Sequence, residues 1–199
     1  MRVQSLASVL AAVAARPATN GVRIVGVDGP SGSGKSTLAR RLADLAVSPL
    51  IGTDDFASWE DLTGWWPRFD AEVLRPLLAG NPARYRVRDW EGDEFGSSLG
   101  AVRTVEWAPL VIVEGVSCTR VDAGDRIAYR VWVDAPETVR LARGIDRDGE
   151  SYRGLWLRWM RDEAAFFARD RTRDRADLLV DGAPDVAHDP ERELVILDA

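Results

Sequence analysis

Residues 29–36 read GPSGSGKS and fit the pattern G-x-x-x-x-G-K-[ST], with the apolar run VRIVGV before them and the helix-forming STLARRLADLA overlapping and following them. Glycines at 29, 32 and 34 let the backbone turn tightly enough for successive N–H groups to converge on one anion. The positive end of the following helix adds to that attraction. The pattern predicts a phosphate cradle made by Gly29, Ser31, Gly32, Ser33, Gly34, Lys35, Ser36 and Thr37, in which Lys35 reaches the β- and γ-phosphates of ATP and Ser36 ligates Mg2+. Lys35 is the only lysine among 26 lysines and arginines. A chain that otherwise uses arginine keeps a compact ammonium where a planar fork fits poorly among phosphate oxygens.

Two further stretches place carboxylates where strands end. LIGTDDF sets Asp54 and Asp55 at a strand's C-terminal edge, where open α/β folds bind ligands. Asp54 is the expected base for an attacking hydroxyl, or a metal ligand through water, and Asp55 an acceptor-binding neighbour. PLVIVEG delivers Glu114, whose carboxylate would orient the water shell of magnesium. RLARGIDRD puts Arg140, Arg143 and Arg147 on one helical face. Closing over ATP, Arg140 would bind the nucleotide, and Arg143 and Arg147 would neutralise charge on the transferring group. The same arginines have Asp146, Asp148 and Glu150 as partners for a solvated, salt-bridged face.

Guanine-specific GTPases need an N-K-x-D element, which cannot exist when the one lysine is already used. The chain is short for a ring ATPase and carries no transporter-ATPase signature, which leaves a small-molecule kinase. A net charge of -6 and a pI near 4.9 argue against nucleic acid or an anionic membrane as the main partner. Cys118 is the only cysteine, so there is no intramolecular disulfide and no multi-cysteine metal site, which fits a reducing, cytoplasmic setting. His188, the only histidine, lies too far along a polar tail to activate it. No run reaches the ~18 apolar residues of a membrane span. At the N-terminus, Leu6, Val9, Leu10 and Val13 recur at helical spacing, so an amphipathic helix is expected in place of a targeting segment.

The elements that must position these groups follow a strand–helix alternation that predicts a three-layer α/β/α fold with a parallel sheet. Strands are expected at 22–27, 50–53, 110–113, 129–133, 178–180 and 194–197. Helices are expected at 35–45, at 70–79 with Asp70 as N-cap and a kink at Pro76, at 136–147, and at 155–169 with Leu155, Trp159 and Phe166 toward the core. The 199 residues suffice for one sizeable core. Residues 56–109 hold five of the eight tryptophans and read as a substrate-binding insertion. Residues 140–175 hold ten arginines against seven acids and read as a lid. The tryptophans could stack a planar base or form the small core of the insertion.

GPSGSGKST, TDDF, VIVEG and RLARGIDRD together resemble the uridine kinase-like branch of P-loop kinases, which includes uridine/cytidine kinases and nicotinamide riboside kinases. The resemblance spans residues 22–181. It implies ATP and Mg2+ as cofactors, transfer of the γ-phosphoryl group to a nucleoside-like hydroxyl, Asp54 as base, and a magnesium site at Ser36, Glu114 and Asp54. RFD is similar to the segment whose aspartate holds ribose hydroxyls, which would make Asp70 a substrate ligand. RDW sits where uridine kinases tend to carry Tyr-Asp-Phe, so Asp89 and Trp90 would meet the acceptor, with Trp90 stacking on it. Arg88 in place of the tyrosine, and the absence of the histidine that often follows, depart from the uridine pattern. Alternatives are a kinase for a sugar, pantothenate or CMP, and an NTP-binding regulatory module without acceptor. The expected partner is a small-molecule acceptor, with a homo-oligomer left open.

Overall fold

The computed structural model describes residues 1–198. It begins with β1 (Arg2–Ser5), α1 (Leu6–Ala14), β2 (Arg23–Asp28), α2 (Lys35–Ala46) and β3 (Leu50–Gly52). A helical stretch follows, α3 (Trp66–Phe69) and α4 (Arg75–Leu78) joined by one wide π turn, and then β4 (Ala83–Arg88), β5 (Leu99–Val105) and β6 (Leu110–Glu114). The chain ends with β7 (Tyr129–Asp134), α5 (Glu137–Asp148), α6 (Arg153–Asp170), β8 (Leu178–Asp181) and β9 (Glu193–Ile196).

Strands buried on both faces must be apolar along their middles, and those at the centre are. Ile24, Val111 and Val113 face one core while Val25, Val27 and Ile112 face the other. The seven-stranded sheet has the order β1-β9-β8-β7-β2-β6-β3. The expected parallel arrangement holds from β3 to β8, but at the edge β9 runs antiparallel to both β8 and β1, which makes the sheet mixed. The three-layer α/β/α architecture is as expected. Among the described residues no helix is long and apolar enough to cross a membrane.

The N-terminal helix is present, with Leu6, Val9 and Val13 buried and the Ser5 Oγ accepting the Ser8 N–H at 3.1 Å as its cap. β1, too short and polar to signal itself, is held by its pairing with β9. The second expected helix begins four residues early, at Trp66, and runs through residue 78 without a break. Asp70 is therefore an interior residue and no N-cap. In the π turn the Arg75 N–H donates to the Asp70 carbonyl, five residues back. The irregularity expected at Pro76 takes the form of this π turn, which ends directly before the proline's own α-helical segment.

β4 and β5 form a separate two-stranded sheet within residues 56–109. It packs on the 66–78 helix through Tyr85, Phe56, Phe69 and Trp65. On α6 the buried face is Trp156, Met160, Glu163 and Phe166; Leu155 and Trp159 are only half-buried, contrary to the expected core face. α5 and α6 touch at Gly144, where a Cβ would lie 2.4 Å from the Trp156 ring. Gly144→Ala should therefore cost about 1 to 3 kcal/mol, a fall in Tm of roughly 2 to 12 °C by thermal denaturation. An unchanged Tm would mean the two helices are not in close contact there.

Candidate active site

The loop between β2 and α2 rests on backbone that only glycine permits. Gly29 has φ 138°, and a Cβ there would stand 2.2 Å from the Val133 carbonyl oxygen. A Cβ on Gly32, φ 76°, would stand 2.5 Å from that of Arg140. Gly34, in the left-handed region, precedes α2 with no side-chain cap, so the first N–H groups of the helix are open to an anion. Ser33 Oγ is fully buried without a hydrogen-bond partner among the described residues.

The loop opens on a cleft of about 1070 Å³ lined by Ser31, Gly32, Gly34, Lys35, Ser36 and Thr37 of the predicted cradle, and by Asp54, Trp90, Arg143 and Arg147. Gly29 and Ser33 lie behind it. Lys35 is 8% exposed. Ser36 Oγ donates to Glu114 Oε2 at 3.1 Å, so the expected metal pair is already adjacent. Burial pushes the Glu114 carboxyl above the ordinary range, and Lys35 pulls it back. Among the described residues no group of three or more His, Cys, Asp or Glu side chains is placed to hold a metal by itself. Ser36 and Glu114 suit a magnesium ion that keeps its waters and shares phosphate oxygens.

The two adjacent acids part company. A 3-10 turn over Thr53–Asp55 leaves Asp54 exposed on the cleft and turns Asp55 toward β4 and β5. Asp55 Oδ2 accepts from the Tyr85 hydroxyl at 2.9 Å and from Arg103 Nη1 at 2.5 Å. Burial raises the Asp55 carboxyl, and Tyr85 and Arg103 oppose the rise. The acceptor role expected of Asp55 is thus replaced by an internal one. Trp90 Nε1 donates to the Asp54 carbonyl at 2.8 Å and fixes that residue's backbone.

Two other expected acceptor ligands do not reach the cleft. The buried Asp70 is paired with Arg75 at 2.9 Å and with Arg126, because its place inside the helix turns it to the segment over Val121–Arg126. Asp89 accepts the Gly92 N–H at 2.9 Å and shapes its own loop. Trp90 does line the cleft, with the Arg88 guanidinium over its ring at 4.8 Å. The aromatic wall is instead Trp59 with Tyr152, Trp156 and Trp159, at centroid distances of 6.5, 6.5 and 5.4 Å.

The three arginines expected on a lid also separate. Arg140 is absorbed by Glu163 at 2.8 Å and does not line the cleft. Arg143 donates to the Gly32 and Gly182 carbonyls, both at 3.0 Å. Arg147 pairs with Asp148 at 2.7 Å and lies over the Trp156 ring. Two residues that sequence reasoning missed hold the site together. Asp28, fully buried, accepts from Gly29, Ser117 and Thr119. Glu163 accepts the Ser31 N–H at 2.9 Å. The first hides as the last residue of a strand; an acid on the apolar face of α6 would have signalled the second.

A glycine-built anion cradle at the C-terminal edge of a parallel strand, with a lysine, a serine and two strand-end acids around it, defines a P-loop nucleotide-binding fold. The chain belongs to the family described as AAA domain, whose pattern matches residues 25–165. It is similar to the cytidylate kinase of Natronomonas pharaonis, 30% identical over 131 residues, and the match covers 64% of this chain and 60% of that protein, less than two thirds of its length. It is similar also to the uridine kinase of Borrelia duttonii, 23% identical over 200 residues, covering 89% and 93%. Among solved structures, one described as a possible uridine kinase from Bacillus stearothermophilus superposes with a TM-score of 0.66 at 20% identity, covering 87% of this chain and 96% of that one. The D-glycerate 3-kinase of Cryptococcus neoformans gives 0.56 at 13% identity, covering 96% and 97%. The fold is a three-layer, P-loop-kinase-like one, without singling out the uridine kinase branch.

Asp54 and Asp55 offer a test that needs no activity. Asp55→Asn removes the anion facing Arg103 and should cost about 1 to 2 kcal/mol, roughly 2 to 8 °C in Tm. Asp54→Asn should leave Tm within about 1 °C, since an exposed side chain without a partner contributes little. Equal losses in thermal denaturation would contradict the division.

Proposed function

We propose that the chain is an ATP-dependent phosphotransferase that moves the γ-phosphoryl group of ATP to a hydroxyl of a small, ring-bearing metabolite of nucleoside type. One observation carries this reading: of two neighbouring acids only Asp54 faces the cleft that holds Lys35 and the phosphate cradle, and its backbone is fixed by Trp90. An exposed carboxylate there can accept the proton of an attacking hydroxyl. Lys35 would meet the phosphate oxygens as a point charge. Ser36 and Glu114 would hold magnesium, which supplies charge neutralisation between the phosphates. Arg143 and Arg147 line the same cleft and would offset charge that grows on the transferring group.

The wall of Trp59, Tyr152, Trp156 and Trp159 supports an acceptor with a flat, apolar body, because aromatic faces give rigid contact area. The two relatives, one named for cytidylate and one for uridine, agree with that shape. Asp70 is committed to arginines, so ribose hydroxyls would have to bond elsewhere; Glu94, which accepts from the Tyr152 hydroxyl at the cleft, is available.

The test is ADP release from ATP with nucleosides, nucleotides, sugars and vitamins in turn. At least one ring-bearing alcohol should stimulate turnover. Asp54→Asn should lower kcat by about 10² to 10⁴ with nucleotide binding retained, the usual worth of a general base. Lys35→Ala and Lys35→Arg should both fail. Binding of ATP with no stimulation by any acceptor would favour a regulatory module and defeat the proposal.

A further inference from the structure

Ser31 sits in the first half of the phosphate cradle, yet all three of its polar groups are spent on α5 and α6. Its N–H donates to Glu163 Oε2 at 2.9 Å, its Oγ accepts from Trp159 Nε1 at 2.8 Å, and its carbonyl accepts from Arg140 Nη1 at 3.4 Å. Arg140 closes the ring by donating to Glu163 Oε1 at 2.8 Å and to the Ala135 carbonyl at 3.1 Å. Glu163 is 1% exposed, the most deeply buried of the site's glutamates. A carboxylate taken out of water close to an anion site opposes the anion it neighbours, so its burial needs a compensating role. Its two oxygens are each matched by one donor, and both donors belong to the cradle or to the arginine beside it.

We infer that Glu163 is a positioning residue that sets the entrance half of the phosphate cradle from α6, with Trp159 as its second arm. This rests on the reading of the loop as a nucleotide site. Trp159 also stands in the aromatic wall, 5.4 Å from Trp59. One residue therefore touches both the cradle and the acceptor wall, and α6 cannot shift for the acceptor without moving Ser31. Nucleotide and acceptor affinities are then linked, and by equal factors in the two directions. Ser31, expected as a direct phosphate ligand, acts here through its neighbours: its amide is held by the protein, while Gly32, Gly34 and Lys35 keep theirs for the phosphate.

The experiment uses the full chain with Trp159→Phe and Glu163→Gln. Trp159→Phe keeps an aromatic face on the wall and deletes only the bond to Ser31 Oγ. Amide hydrogen exchange of the nucleotide-free protein should rise in the peptide spanning residues 29–34 and stay unchanged in β2 and β6; a merely structural loss would raise exchange in those strands too. ADP titrated calorimetrically should bind about 3-fold more weakly to Trp159→Phe and about 10-fold more weakly to Glu163→Gln, the range of one neutral and one charged hydrogen bond. Should the buried Arg140, left unpaired, prevent Glu163→Gln from folding, Trp159→Phe carries the test alone. Unchanged exchange at residues 29–34 together with unchanged ADP affinity would overturn the inference. A wild type that binds ADP but phosphorylates no acceptor would defeat the proposed function and leave the exchange result standing.

Discussion

A carboxylate without any solvent contact holds the two loops of this site to one point. Asp28, the last residue of β2, accepts N–H bonds from Gly29 at 2.7 Å, Ser117 at 2.8 Å and Thr119 at 2.7 Å, and the Thr119 hydroxyl at 2.9 Å. Burial drives its carboxyl above the usual range, and each of these bonds draws it back. An ion so buried costs several kcal/mol unless its lone pairs are filled, and here they are. The consequence is geometric. The phosphate loop starts at Gly29 and the segment after Glu114 returns through Ser117 and Thr119, so Ser36 and Glu114 meet because both chains leave from the same carboxylate. Even Gly26 follows from this: a Cβ there would collide with the Thr119 methyl at 2.2 Å.

Around that point the sheet's C-terminal edge carries an acid at the end of nearly every parallel strand: Asp28, Glu114, Asp134 and Asp181. A protein of net charge -6 would repel phosphate from such an edge. What reverses the sign locally is the set of glycine-permitted N–H groups at the head of α2, the lysine beside them, and arginines drawn in from α5. Fixed dipoles and a few cations act strongly there because the cleft is partly shielded from water.

Much of this was legible in residue order. Strands buried on both faces announce themselves as unbroken β-branched runs, and the loop motif locates itself between one of them and a helix, so Lys35, Ser36, Asp54 and Glu114 fall at one edge by topology alone. What order could not give was the direction of side chains whose partners lie far along the chain. Asp54 and Asp55 differ only by a turn whose sense depends on Tyr85 and Arg103. Asp70 looked like a cap because a π turn, invisible to helical periodicity, re-phases the helix around Pro76. Trp159 read as core because a tryptophan at helical spacing has an apolar body, while its N–H, bound to Ser31, decides where it goes.

The arginines of α5 show how one helical face can be divided by burial. All three lie on α5 at spacings that place them together, yet the cost of moving each differs. Arg140 is 12% exposed beside a glutamate at 1%, and parting them would leave two uncompensated charges in low dielectric. Arg147 is 68% exposed, and its partner Asp148 is 21% exposed, so exchanging that carboxylate for a phosphate costs little. Arg143, also exposed, donates to two neutral carbonyls and so bridges the phosphate loop and Gly182. A helix that both braces a loop and lines a cleft can do so only if its arginines are not equivalent. The buried one stiffens the frame, and the exposed Arg147 stays free to change partners.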